Sequence, residues 1–220
     1  MLGKHERAIN NYANVTCWGA VSGETADLSK SGQLIERIPT ETINNPELRN
    51  LVRGVGEAIS NAVDHAYPDT EVNGDRWWMF TATNDTHLTV IVCDLGVGIP
   101  CTLPFTQEPS VLNSIKVFLG LGESPMKDGN LIQISTYIKQ SRTKASHRGK
   151  GGQDMRTIIE RLAEDEKGMA SGLNIFSNCG RLRITKSKKA DAAAGKKTMD
   201  ITSDHKTSIL GTIVEWNIRI

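Results

Sequence analysis

Gly54-Val55-Gly56-Glu57-Ala58-Ile59-Ser60-Asn61-Ala62-Val63-Asp64-His65-Ala66-Tyr67-Pro68-Asp69 reads as the second half of an amphipathic helix that begins near Asn45. Asn45 suits an N-cap, Pro46 the first helical position, and Glu47 the positive end of the helix dipole. Leu48, Leu51, Val52, Val55, Ile59, Ala62, Val63 and Ala66 recur at three-and-four spacing, which predicts one buried stripe. Glu57, Asn61 and Asp64 fall together on the opposite side, with His65 at its margin. Tyr67-Pro68-Asp69 stops the helix, because proline cannot donate the next hydrogen bond. Such a polar face ordinarily meets only water. Here Asn61 is a poor mid-helix residue, and Gly54 and Gly56, placed with the polar face, predict that something approaches the helix backbone closely.

The 220 residues suit one generous domain, or one domain with a small extension, large enough to bury a core without disulfides or a structural metal. A net charge of +1 supplies no field that would draw nucleic acid or an acidic membrane. Cys17, Cys93, Cys101 and Cys179 are widely separated and follow no metal-ligand spacing. That usage suits a reducing compartment. No apolar run approaches the roughly 18 residues that cross a bilayer, and MLGKHERAIN lacks the apolar centre of a signal peptide. The expectation is a cytoplasmic protein with no membrane partner.

Residues 1–44 read as an N-terminal extension whose strands, near Val15–Val21 and Gly32–Pro39, complete a sheet; residues 45–220 form the main domain. Arg76–Thr83 and His87–Cys93 flank Asn84-Asp85-Thr86 as an antiparallel hairpin. Residues 107–145 read as broken helix, opened by Pro109, interrupted at Gly120, Gly122 and Pro125, and resumed over Leu131–Gln140. The basic, glycine-rich passage that follows ends in Gly149-Lys150-Gly151-Gly152, and a helix carrying Met155, Ile158, Ile159 and Leu162 on one face comes directly after it. Strands are expected at Leu173–Ser177, Arg181–Thr185 and Ser208–Ile218. Between the last two, 186–206 reads as a solvated, mobile hairpin; no aromatic interleaves its lysines, which argues against a nucleic-acid site.

Four features fall in a fixed order: Glu57 and Asn61 on a helix, Asp94-x-Gly96-x-Gly98 after a strand, Gly149-x-Gly151-Gly152 before a helix, and Gly211-Thr212 in the last strand. In order and residue type they resemble the GHKL ATPases: gyrase, heat-shock chaperone ATPases, sensor histidine kinases and mismatch-repair ATPases. The resemblance covers about residues 45–218, and Glu57–Tyr67 looks most like the matching helix of anti-sigma-factor serine kinases. It implies an α+β fold, a two-layer α/β sandwich of the Bergerat type. The sheet would be mixed but mostly antiparallel, with helices on one face and a lid at about 120–152. It also implies ATP and Mg²⁺ as cofactors.

Elementary chemistry gives these residues roles. The Asp94 carboxylate is a suitable acceptor for the exocyclic amine of adenine, and Gly96 and Gly98 let backbone approach the flat base. Asn61 offers Mg²⁺ one oxygen without adding charge, and Asp64 shares its face. Glu57, one turn earlier, is placed to polarise a water or hydroxyl beside the γ-phosphate. Gly149, Lys150, Gly151 and Gly152 lead into a helix N-terminus, a natural anion site. Thr212 reaches adenine through a water, as the resemblance implies. The pattern departs from the family where Gln153-Asp154 stand in place of the usual Leu-Gly, and no Walker A motif exists in the chain. The expected function is Mg²⁺-dependent ATP binding with slow hydrolysis or phosphoryl transfer. The alternatives are a serine/threonine kinase acting on a small partner protein and a nucleotide-gated interaction module. A protein partner or a homodimer is expected in each case.

Overall fold

A computed structural model describes residues 17–36, 45–68, 74–122, 125–138, 151–162, 171–187 and 197–219. In chain order the elements are β1 (Cys17–Gly23), α1 (Ser29–Glu36), α2 (Asn45–His65), β2 (Trp77–Thr83), β3 (His87–Cys93) and α3 (Ile99–Thr106). They continue with α4 (Pro109–Phe118), α5 (Asp128–Ser135), α6 (Gly151–Leu162), β4 (Gly172–Ser177), β5 (Gly180–Lys186), β6 (Thr198–Asp204) and β7 (Thr212–Arg219). The strands form one sheet in the order β1-β2-β3-β7-β4-β5-β6. Where a mixed sheet was expected, every neighbouring pair among the described strands is antiparallel. The α+β class stands.

Strict alternation decides which face of the sheet is covered. Met79, Leu88, Val90, Val92, Leu173, Ile175, Leu182, Ile184, Val214 and Trp216 all point to one side and are buried there. Leu51, Val55, Ala58, Ile59 and Ala62 of α2 and Met155, Ile158, Ile159 and Leu162 of α6 complete that core. Each large aliphatic side chain so buried contributes about 1.5–3 kcal/mol. The stripe read from the sequence of α2 is therefore the packed face.

Gly54 and Gly56 answer to packing. A Cβ on Gly54 would lie 3.3 Å from the Met155 Cα, and one on Gly56 would lie 3.1 Å from Leu28. The close approach predicted from these glycines is made by α6 and by the residue preceding α1. Gly54 is accordingly buried, not part of the polar face. Beneath it, Trp216 is fully buried and donates its indole N–H to the Met155 carbonyl at 3.0 Å.

Two other expectations differ from the structure, and one helix lies where none was expected. Part of the segment expected as a strand near Gly32–Pro39 is helix α1, because Asp27 accepts the Ser29 N–H at 2.9 Å and starts a helix that buries Ile35. Helix α3 was not anticipated, since Pro100 and Pro104 argue against helix; Pro100 lies in its first turn, where no N–H is needed. The second difference concerns the hairpin at about 186–206. Its second half, β6, is an ordered edge strand whose core-facing residues are polar. Asp200 of β6 takes a bidentate ion pair from Arg156 of α6, with Nη1 and Nη2 each at 2.9 Å. Tyr137 and Gln133 donate to the same carboxylate at 3.0 and 3.1 Å.

Candidate functional site

The end of β3, the start of β7 and the end of β4 lie side by side, and a row of three polar side chains crosses them. Cys93 pairs with Ile213 and Ser177 with Thr212, so Asp94, Thr212 and Ser177 are successive neighbours on the helix-covered face. Asp94 and Thr212 are each 8% exposed and Ser177 not at all. The inward residues of β3, β4 and β7 are otherwise hydrophobic, so three polar residues together at their ends need a reason.

Asp94 is held by backbone. Its carboxylate accepts the Gly96 N–H at 2.8 Å, and its own N–H donates to the Thr212 carbonyl at 3.0 Å. Burial pushes the carboxyl above the usual carboxylate range, against the lowering pull of the Gly96 and Thr212 backbone hydrogen bonds. Among the described residues no cation pairs with it. Leu95, Val97 and Leu210, which flank Asp94 and Gly211 in sequence, expose 56%, 43% and 73% of their surface. The result is a buried acceptor bordered by exposed apolar side chains.

The glycines here are forced by contact. A Cβ on Gly96 would fall 2.2 Å from the Ala66 carbonyl oxygen, which also accepts the Val97 N–H at 2.9 Å. Gly211, at φ 81°, would place a Cβ 2.1 Å from the Asp94 carbonyl oxygen. Gly98, at φ 85°, sits tightly against Ser177 and Asn178 and begins α3. Tyr67, just past α2, accepts the Leu95 N–H at 3.0 Å and donates to the Arg76 carbonyl at 3.0 Å. The loop carrying Asp94 is thus fastened to the end of α2 at two points.

Helix α2, which reaches the Asp94 loop through Ala66 and Tyr67, also carries Glu57, Asn61 and Asp64. Glu57 is half-buried, while Asn61 and Asp64 are off the core; Ser60 donates to Asp64 at 3.3 Å. All three lie off the buried stripe, as their spacing predicted. Gly151 and Gly152 are the first two residues of α6, matching the helix expected after the glycine-rich passage. Gly149 and Lys150 lie outside the described residues, as does 139–150 of the expected lid. Among the described residues no three His, Cys, Asp or Glu side chains gather as a metal cluster, and no helix is long and apolar enough to cross a membrane.

Asp94, Gly96, Gly98 and Thr212 are therefore brought together as one site, tied to α2 through Ala66 and Tyr67. The residue missed in the sequence is Ser177. Its signal was available: in Leu173, Ile175, Ser177 it takes the third inward position of an alternating strand, where another aliphatic would be expected.

No protein-family model matches this chain, and no curated protein matches it.

Proposed function

We propose that the chain binds ATP with Mg²⁺ at the Asp94–Thr212 site and hydrolyses it slowly or transfers its γ-phosphoryl group, in the manner of the GHKL ATPases it resembles. The observation that carries this reading is the Asp94 carboxylate, buried, oriented by backbone N–H groups and lacking a counter-ion among the described residues. A buried acceptor of that kind is costly to the free protein, and a ligand amine offsets the cost. The exposed apolar side chains beside it suit the faces of a flat heterocycle.

The donor set fits the implied metal as well. Mg²⁺ keeps several waters and takes few protein ligands alongside substrate phosphates. The amide oxygen of Asn61, exposed on α2, is one such ligand, with Asp64 one turn further along the same face. The metal supplies charge neutralisation for the phosphates. Glu57, one turn before Asn61 on the same helix, would be the carboxylate that accepts a proton from a water or an incoming hydroxyl. Gly151 and Gly152 open a helix N-terminus, the end whose dipole favours anions.

Calorimetric titration with ATP, with and without Mg²⁺, tests the binding. Incubation with γ-labelled ATP and cell extract then separates the chemistries: free phosphate marks an ATPase, a labelled small protein marks a kinase, and binding with neither marks a nucleotide-gated module. A folded protein that binds no purine nucleotide would overturn the reading.

A further inference from the structure

Ser177 is fully buried and its hydroxyl is completely committed. The Ile99 N–H donates to Oγ at 2.9 Å, and the Gly211 carbonyl oxygen lies 3.2 Å away, where it can only accept. A serine hydroxyl has one proton and two lone pairs. Its proton goes to Gly211 and one lone pair to Ile99. The third partner, Thr212 Oγ1 at 3.0 Å, must then be the donor. Thr212 spends its only hydroxyl proton on Ser177. Its two lone pairs are left with no donor among the described residues.

We infer that Ser177 is a positioning residue that sets the hydrogen-bond polarity of the site: it holds Thr212 as an acceptor, so the Asp94–Thr212 wall presents acceptors alone. Such a wall suits the two N–H donors of a purine 6-amino group, one for each acceptor, and disfavours a carbonyl at that position. This rests on the nucleotide reading above and adds the basis of its base selectivity. The sequence places no motif at Ser177; the closed count of one proton and two lone pairs assigns the role.

The test compares calorimetric affinities for ATP and ITP, which differ in amine against carbonyl at position 6 and, with it, in N1, an acceptor in ATP and an N–H donor in ITP. The proteins are the wild type, Ser177→Ala and Thr212→Val. In the wild type ATP is preferred. In Ser177→Ala the freed Thr212 hydroxyl can turn and donate to the carbonyl of ITP, so the ATP/ITP preference falls by roughly 3- to 10-fold, the span of one neutral hydrogen bond. Thr212→Val narrows the preference too. In the double variant the two effects do not add, because they act through one hydroxyl. If Ser177→Ala does not fold, Ser177→Cys keeps the shape with a poor acceptor and is expected to shift the preference the same way. Equal weakening of ATP and ITP would mean that Ser177 only supports the fold, and would overturn the inference. So would a wild type that binds both nucleotides equally. A wild type that binds neither overturns the nucleotide reading itself, and the inference with it.

Discussion

Arg156 and Asp200 meet in a bidentate ion pair with side chains only 4% and 8% exposed, and through it the edge strand β6 is locked to helix α6. The guanidinium also donates to Thr136 at 3.0 Å and to the Tyr137 hydroxyl at 3.1 Å, and it stacks 4.2 Å from the Tyr137 ring. Removing one partner leaves the other charged and buried, so Arg156→Met should cost about 3–5 kcal/mol. Replacing both, as Arg156→Met with Asp200→Leu, should recover much of that loss. Urea unfolding measures both; a single variant within about 0.5 kcal/mol of wild type, the range of ordinary surface substitutions, would mean the pair is not a buried one.

Asp94→Asn should weaken ATP binding by roughly 10- to 100-fold, the worth of a charge-assisted hydrogen bond of about 1.5–3 kcal/mol. Isothermal calorimetry on the folded variant decides it. Unchanged affinity would remove Asp94 from the site.

The same substitution has a pH signature. Burial raises the folded-state pKa of Asp94 above its unfolded value near 3.8. The fold therefore binds the Asp94 proton more tightly than the unfolded chain does, and the stabilising contribution, complete at low pH, is lost as pH rises through the folded pKa. Asparagine does not titrate. The Tm of ligand-free Asp94→Asn, relative to wild type, should thus be more favourable at pH 7 than at pH 4. A difference independent of pH would show that the carboxyl is not desolvated.

Glu57→Ala separates chemistry from binding. If Glu57 positions the attacking oxygen, turnover falls by roughly 10²–10⁴ while ATP affinity survives. Parallel losses in both would make it a binding residue. No change in either would place it outside the site.

The glycines give a contrast between close-packed and open positions. Gly96→Ala drives a methyl into the Ala66 carbonyl and should destabilise severely or prevent folding. A methyl on Gly32, in α1, would meet nothing within 4 Å, so Gly32→Ala should stabilise by about 0.5–1 kcal/mol. Thermal melts of the two side by side test the packing around the Asp94 loop.

The sequence disclosed elements wherever burial follows a period. Helix α2, the β2–β3 hairpin and the inward rows of β4, β5 and β7 carry apolar residues at regular spacing, and all lie about where that spacing puts them. Strand β6 escaped because its polarity is inverted: Asp200, Thr202 and Asp204 face the helices and are held by Arg156, Asn130 and Gly129, while Ile201 is 45% exposed. Helix α3 escaped because two prolines mask it. At the site, Asp94, Gly96 and Gly98 stood out because strained or tightly approached backbone demands unusual residues. Ser177 carries a weaker signal, a polar residue at an inward strand position, and its part in the site follows only from its three partners.

The order of strands in space also bears on when the molecule can exist. Strand β7 lies fourth of seven, between β3 and β4, although it follows all the others in the chain. Until it is made, β1–β3 and β4–β6 are two separate ladders, and β3 and β4 each offer the unpaired rim that invites wrong partners. Thr212 arrives only with it, so the candidate site is absent from every nascent chain that stops short of β7. Completion of the sheet during synthesis therefore waits until β7 has been made. Pairings this distant in sequence are slow to close, and the waiting halves are the species a holding chaperone would recognise.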